Sequence, residues 1–296
     1  MTVDRRLCVR PLLLVSVVAV AAAVAVGCGA RVPPVTNPGA KPVHPAITRD
    51  SHEDLHAVLW MQTAAEYRAL TTAIYARAVP VLDRALQDPA WTAATEQTGT
   101  FASLPPAVII DLDETVLDNS AFQGQLVRDR QPYTEAAWED WVRTGQAGAV
   151  PGAPAFIHTV EDRGVRVFYI SNRAAAREDS TLANLRTVGV QTTSDRVLSP
   201  GEHGWTTDKS PRRAFVAEQH RVLMLVGDDL GDFVAIARLS TAEREALVDR
   251  YADRWLERWV LLPNASYGSW LRALTPGLSS DRDVLERKLA TIRGYR

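Results

Sequence analysis

A chain of 296 residues, 46% of them hydrophobic, is long enough to bury a large core in one embellished domain or in two. Its formal charge of −2, with no basic stripe, no repeat and no long low-complexity tract, excludes a nucleic-acid-binding surface, a repeat array and a disordered chain. Without residues 1–27 the balance is 30 basic against 34 acidic residues, or −4.

Residues 1–27 read as a signal peptide. Arg5, Arg6 and Arg10 form a positive flank, residues 12–26 an apolar run, and Gly27 a small residue at the cleavage point. The run falls short of the roughly 20 residues that span a bilayer. Cys28 follows at once, and AVGC resembles the lipobox of bacterial lipoproteins, in which the cysteine is lipidated and becomes the mature N-terminus. Cys8 leaves with the signal, so Cys28 would be the only cysteine of an exported protein, without an intramolecular disulfide partner. The bland alternatives are an ordinary signal peptide with an incidental cysteine, or an uncleaved anchor. Pro33, Pro34, Pro38, Pro42 and Pro45 make residues 28–50 a semi-rigid tether, and residues 51–296 the folded body.

Ser51 and Asp54 form a variant capping box, and Leu55, Val58, Leu59, Tyr67, Leu70, Ile74, Ala78 and Leu82 recur at helical spacing. One long helix is therefore expected over 53–88, kinked or divided at Pro80. Residues 107–111 are the first core strand. The stretch 120–150 is too long for a simple crossover and reads as a small cap, helical near 135–142 with Trp138 and Trp141 on one face. With the 53–88 helix it is expected to form a small, mainly helical subdomain. A helix over 154–162 leads to a buried strand over 165–170 that ends in Ser171, Asn172 and Arg173. Helices over 176–188 and 209–219, a strand over 222–226, a helix over 241–257, a short strand over 259–262 and a helix over 281–292 complete the chain.

This alternation predicts an α/β fold, a Rossmann-like parallel sheet with helices on both faces plus the cap. Ligands bind such sheets outside the carboxyl ends of the strands, which is where Asp111, Ser171 and Asp228 fall. Residues 108–120, VIIDLDETVLDNS, join an apolar strand to Asp111, Asp113, Glu114 and Thr115. Carboxylates crowded at a strand mouth repel one another and lose hydration, so a cation or a reaction is expected to use them. A surface turn does not explain the apolar run before them. A calcium loop counted from Asp111 needs Gly sixth and a carboxylate twelfth, where Val116 and Phe122 stand. Ser171 alone is more often a helix cap and Lys209 alone a solvated charge; their weight lies in order and spacing.

In that order, DLDETVLDN, a strand closed by Ser171, Lys209 opening a helix, and GDDLGD resemble the four motifs of the haloacid dehalogenase superfamily. The likeness narrows through WMQTAAEYRAL (60–70), DLDETVLDNS (111–120), AVPGA (149–153), VFYISNR (167–173), DKS (208–210), GDDLGDF (227–233) and LPNASYGSW (262–270). These segments resemble the class C (lipoprotein) acid phosphatases, also called the lipoprotein 5′-nucleotidase family, over nearly all of the mature chain. Asp229 and Gly231 depart from the Asn and Asp usual in that family's fourth motif.

The resemblance implies that Asp111 is the nucleophile and that Asp113 is the general acid and base. One Mg²⁺ per site would be held by Asp111, the backbone carbonyl of Asp113 and Asp228, with Asp232 orienting Lys209 or a metal-bound water. Ser171, Asn172, Arg173 and Lys209 would bind the phosphoryl group, and Tyr133 and Tyr267 would stack on a flat ring. Glu114 is expected to take no part, and Thr115 and Asp118 to shape the turn. The implied partners are phosphate monoesters such as 5′-nucleotides or nicotinamide mononucleotide, a membrane through the lipid on Cys28, and a second copy as a candidate homodimer partner. Export argues against a phosphoryl mutase, which would share the paired aspartates. The rival from another class is a surface lipoprotein that uses the fold for ligand binding or adhesion without catalysis.

Overall fold

The computed structural model describes residues 53–255 and 257–294. The signal peptide, Cys28, the tether and the Ser51 cap lie outside them. Among the described residues no helix is long and apolar enough to cross a membrane.

The expected first helix is two helices, α1 (Leu55–Thr63) and α2 (Ala65–Gln87). The break is at Ala64, which is extended, and not at Pro80, which α2 carries inside it. Pro80 costs the carbonyl of Ala76 its helical partner, but both residues are exposed, so water can take that place. Just before Ala64 the Thr63 hydroxyl donates back to the Leu59 carbonyl at 2.6 Å, a local bond that competes with the helical ladder.

The chain continues through β1 (Pro106–Ile110), β2 (Leu117–Asp118), α3 (Ser120–Asp129), α4 (Glu135–Thr144), β3 (Gly148–Ala149) and α5 (Ala153–Asp162). After it come β4 (Arg166–Ile170), α6 (Glu178–Thr187), β5 (Val197–Leu198), α7 (Ser210–Gln219), β6 (Arg221–Gly227), α8 (Thr241–Arg250), β7 (Trp259–Leu261), α9 (Ser269–Leu274) and α10 (Asp281–Thr291). Strand order is β5-β4-β1-β6-β7, all parallel, so the direction of winding reverses between β1 and β6.

The predicted doubly covered parallel sheet is therefore present, and side chains alternate across it. Val108 and Ile110 face a core shared with Tyr75, Val81 and Leu82 of α2 and Phe156, Ile157 and Val160 of α5. Ala107 and Ile109 face the opposite core, with Val216 of α7, Phe233 and Trp259. The β1–β6 register slips by one residue at Leu223, pairing Ala107 with Val222 but Val108 with Met224. Each strand thereby keeps matching faces beyond the slip.

The cap is α3, α4 and the small antiparallel pair β2–β3, centred on Phe122, whose ring lies 5.4 Å from Trp138 and 6.2 Å from Trp141. Only the α1 half of the expected long helix joins it, through Gln62, whose amide donates to the Ser120 carbonyl at 2.8 Å. The α2 half belongs to the main core. Helix α8 stops at Arg250, short of the predicted 257, because Tyr251 and Trp255 turn inward onto Trp259, at 4.8 and 5.0 Å between ring centres.

Candidate active site

Asp111 and Asp228 follow β1 and β6 directly, so they flank the point where the winding reverses, where an open α/β sheet forms its crevice. Asp232 reaches the same place from the turn after β6. Its carboxylate accepts the Asp229 N–H at 2.9 Å, and Asp229 in turn accepts the Gly231 N–H at 2.8 Å. Gly227 is what lets Asp232 fold back: a Cβ there would lie 2.2 Å from Asp232 Oδ2. Lys209, at the start of α7, donates from Nζ to Asp111 Oδ1 and, at 2.6 Å, to Asp232 Oδ1. The expected Asp232–Lys209 contact is thus present.

Carboxylate oxygens of Asp111, Asp228 and Asp232 lie within 4.8 Å of one another. Burial pushes the Asp111 carboxyl up to about 7 against the pull of Lys209, with Asp232 and Asp113 adding to the rise. Burial, then the charges of Asp111, Asp232 and Glu114, push Asp228 well above the carboxylate range. Burial alone would lower Lys209, but Asp111 and Asp232 outweigh it and hold the ammonium above its ordinary value. Ionised together, as a bound cation would make them, three carboxylates against one ammonium carry an excess of two negative charges on an all-oxygen donor set. That set fits a hard divalent cation.

Asp113 sits beside this cluster. Arg173 Nη2 and Nε donate to its Oδ1 at 2.7 and 2.9 Å, Asn119 Nδ2 donates to the same oxygen at 3.0 Å, and Ser171 Oγ stands 3.4 Å from Oδ2. Ser171 is therefore at the site as expected. The two residues after it are held by partners of their own. The Asn172 side chain is turned away, donating to the Thr207 carbonyl at 3.1 Å and accepting from Arg212 at 2.7 Å, because the buried Arg212 needs acceptors. Arg173 is buried and paired with Asp113, which offsets its desolvation, while its Nη1 is buried without a hydrogen-bond partner.

The Tyr267 hydroxyl donates to Glu114 Oε2. Tyr133 lies exposed on the cap, its hydroxyl on Glu135 at 2.9 Å and its ring edge-on to Phe122 at 6.4 Å. Glu114 and Thr115 do more than was expected of them. Glu114 is fully buried in a left-handed backbone conformation (φ 58°), its carboxylate met by the Asn119 N–H at 3.0 Å as well as by Tyr267. Thr115 Oγ1 donates to Asp228 Oδ1 at 3.2 Å. Asp118 keeps its expected role, accepting the Ser120 N–H at 2.8 Å at the start of α3.

Several positioning groups escaped the sequence reading. Asn264 donates to Asp228 Oδ2 at 2.9 Å, and the Ser269 hydroxyl and N–H to Asp229 at 2.6 Å, so the segment after β7 carries donors for two acids of the fourth motif. Arg212 and Arg213 are both fully buried. Arg212 reaches the Ser171 carbonyl at 2.6 Å, while Arg213 reaches the Gly231 carbonyl at 2.8 Å and Glu96 at 2.7 Å. From one turn of α7 they tie down the loops after β4 and β6. The signal available in the sequence was two arginines three and four residues after Lys209, on a helix that must face the sheet.

Residues 38–270 match the family model described as HAD superfamily, subfamily IIIB (acid phosphatase). The class C acid phosphatase from Bacillus anthracis is similar in structure, with a TM-score of 0.73 and 32% identity over 82% of this chain and 98% of that one. A structure of that protein with tungstate bound matches with the same figures. Acid phosphatase 1 of Solanum lycopersicum is 28% identical over 130 residues, 43% of this chain and 51% of its own length. Vegetative storage protein 1 of Arabidopsis thaliana is 25% identical over 132 residues, 43% of this chain and 48% of its own. The chain spans about half the length of these curated relatives. Because the family model takes in most of the chain, from before α1 to α9, the chain belongs to the HAD superfamily, subfamily IIIB, the acid phosphatases, a family of phosphoric monoester hydrolases.

Proposed function

We propose that the chain is a Mg²⁺-dependent phosphomonoesterase that works through an aspartyl phosphate on Asp111, with 5′-nucleotides or nicotinamide mononucleotide as substrates. The observation that carries this reading is a buried carboxylate at the switch point of the sheet, held by Lys209, with a second aspartate two residues on. An Asp111 oxygen attacks phosphorus, and the ester P–O bond breaks. Asp113 gives its proton to the departing alkoxide. Water then attacks the phosphorus of the aspartyl phosphate and gives a proton to Asp113, releasing inorganic phosphate and restoring the Asp111 carboxylate. Lys209 and Ser171 bind phosphoryl oxygens, and Asp232 keeps Lys209 in place. Asp111, Asp228 and the Asp113 carbonyl would hold Mg²⁺, which supplies charge neutralisation for the phosphate ester when bound.

The tungstate complex of the Bacillus anthracis protein supports an oxyanion site in this family. The aromatic cap of Phe122, Tyr133, Trp138 and Trp141 and the Tyr267 ring, whose hydroxyl is fixed by Glu114, support a substrate with a flat ring. The leader and Cys28 support an exported enzyme, anchored to a membrane by lipid and facing away from the cytoplasm. Phosphate release from a panel of 5′- and 3′-nucleotides, nicotinamide mononucleotide and small phosphate esters, with and without chelator, tests the reading. Turnover that requires Mg²⁺ and favours 5′-nucleotides is expected; activity indifferent to chelator would contradict the metal assignment.

A further inference from the structure

Asn119 is fully buried, and its side-chain amide has five hydrogen-bond partners. Its Nδ2 donates to Asp113 Oδ1 at 3.0 Å, to Glu114 Oε2 at 3.3 Å and to the Leu117 carbonyl at 3.3 Å. Its Oδ1 accepts from Trp141 Nε1 of α4 at 2.8 Å and from Arg173 Nη2 at 3.4 Å. An indole N–H and a guanidinium only donate, and carboxylates only accept, so this network admits one orientation of the amide. Trp141 belongs to the cap, and Glu114 receives the Tyr267 hydroxyl from the segment after β7. The amide therefore links the cap, the C-terminal segment and Asp113.

The two oxygens of Asp113 are treated unequally. Oδ1 takes Arg173 Nη2 at 2.7 Å, Arg173 Nε at 2.9 Å and Asn119 at 3.0 Å. Oδ2 has only longer contacts, to Arg173 Nε at 3.3 Å and Ser171 Oγ at 3.4 Å. We infer that Asn119 is a positioning residue for Asp113: it anchors Oδ1 and leaves Oδ2 as the oxygen that passes the proton to the leaving group, with Trp141 of the cap holding the amide in register. The inference rests on the phosphomonoesterase reading and names the residue that aims its acid.

A device that aims a general acid matters only where the leaving group needs a proton. The expelled oxygen of an alkyl phosphate must be protonated as the P–O bond breaks, whereas 2,4-dinitrophenolate leaves as a stable anion. The test compares kcat/KM for ethyl phosphate and 2,4-dinitrophenyl phosphate in the wild type, Asn119→Ala and Trp141→Phe. This quantity reports phosphoenzyme formation and is blind to the later hydrolysis common to both substrates.

Asn119→Ala is expected to lose about 100-fold on ethyl phosphate and less than about 5-fold on the dinitrophenyl ester, as for misaimed proton transfer. Trp141→Phe, which removes the indole N–H that anchors the amide and keeps an aromatic ring against Phe122, should show a smaller loss with the same asymmetry, and it answers the question if Asn119→Ala does not fold. Equal losses on both esters, or none, would overturn the inference while leaving the phosphatase reading standing. A wild type inactive on both esters, and on the nucleotide panel, would overturn that reading and the inference with it.

Discussion

Replacing Lys209 by Met removes what is, among the described residues, the one ammonium that faces the acidic cluster and keeps most of the side-chain volume, so the loss is electrostatic. The side chains of Lys209, Asp111 and Asp232 are 10%, 8% and 5% exposed, and the Lys209–Asp232 contact is 2.6 Å. At that distance an effective dielectric of about 20 gives roughly 6 kcal/mol of gross attraction, part of which offsets the desolvation of the ions. Breaking such a buried pair from one side strands charge and costs about 3–5 kcal/mol. Urea unfolding in the presence of chelator should show that loss as a lower midpoint at an unchanged m value. Adding Asp232→Asn to Lys209→Met removes one stranded carboxylate and should restore about 1–3 kcal/mol. A loss below about 1 kcal/mol, or a double variant no more stable than the single one, would refute the reasoning that Lys209 balances these carboxylates.

Gly227→Ala places a methyl group 2.2 Å from Asp232 Oδ2, and should cost about 1–3 kcal/mol in stability and about 100-fold in kcat, measured by unfolding and phosphate release. Asn264→Leu deprives Asp228 of its 2.9 Å donor and should weaken divalent-cation binding about 10–100-fold in a calorimetric titration with Mn²⁺; an unchanged affinity would remove Asn264 from the site. His220 is buried and accepts from Arg166 at 3.2 Å, and burial, then the Arg166 charge, hold its pKa below the ordinary value. The unfolded chain therefore takes up a proton near pH 6.5 that the folded chain refuses, so this contribution to stability is present above pH 6.5 and is lost as pH falls toward the lower folded value. Thermal unfolding of His220→Phe should depend less steeply on pH between about 5 and 7 than that of the wild type.

The convergence of Asp111, Ser171 and Asp228 was legible because a parallel sheet places whatever follows its strands along one edge, and apolar runs mark where strands end; Lys209, which opens a helix, was named only by the family resemblance. What joins the site from elsewhere was not. Glu114 beside the paired aspartates reads as one more solvated acid, and only its left-handed backbone turns it inward to Asn119 and Tyr267. Asn264 and Ser269 reach Asp228 and Asp229 because β7 lies next to β6, an adjacency that no local pattern states. Arg212 and Arg213 look like ordinary helix-surface cations until α7 is laid against the sheet. The division of the first helix at Ala64 has no glycine or proline to announce it, while Pro80 announces a break that its exposed position makes unnecessary. Strands of two residues, such as β2, β3 and β5, are too short to leave a periodic trace.

The central claim is a phosphoryl group carried on Asp111. Acid quenching of the enzyme during turnover of a 5′-nucleotide with Mg²⁺, followed by peptide mass analysis, tests it directly. The expected result is a single phosphoryl group on the peptide containing Asp111, with neither phosphopeptide nor phosphate release from folded Asp111→Asn. Sustained phosphate release by Asp111→Asn, or a phosphoryl group trapped on any other residue, would contradict it.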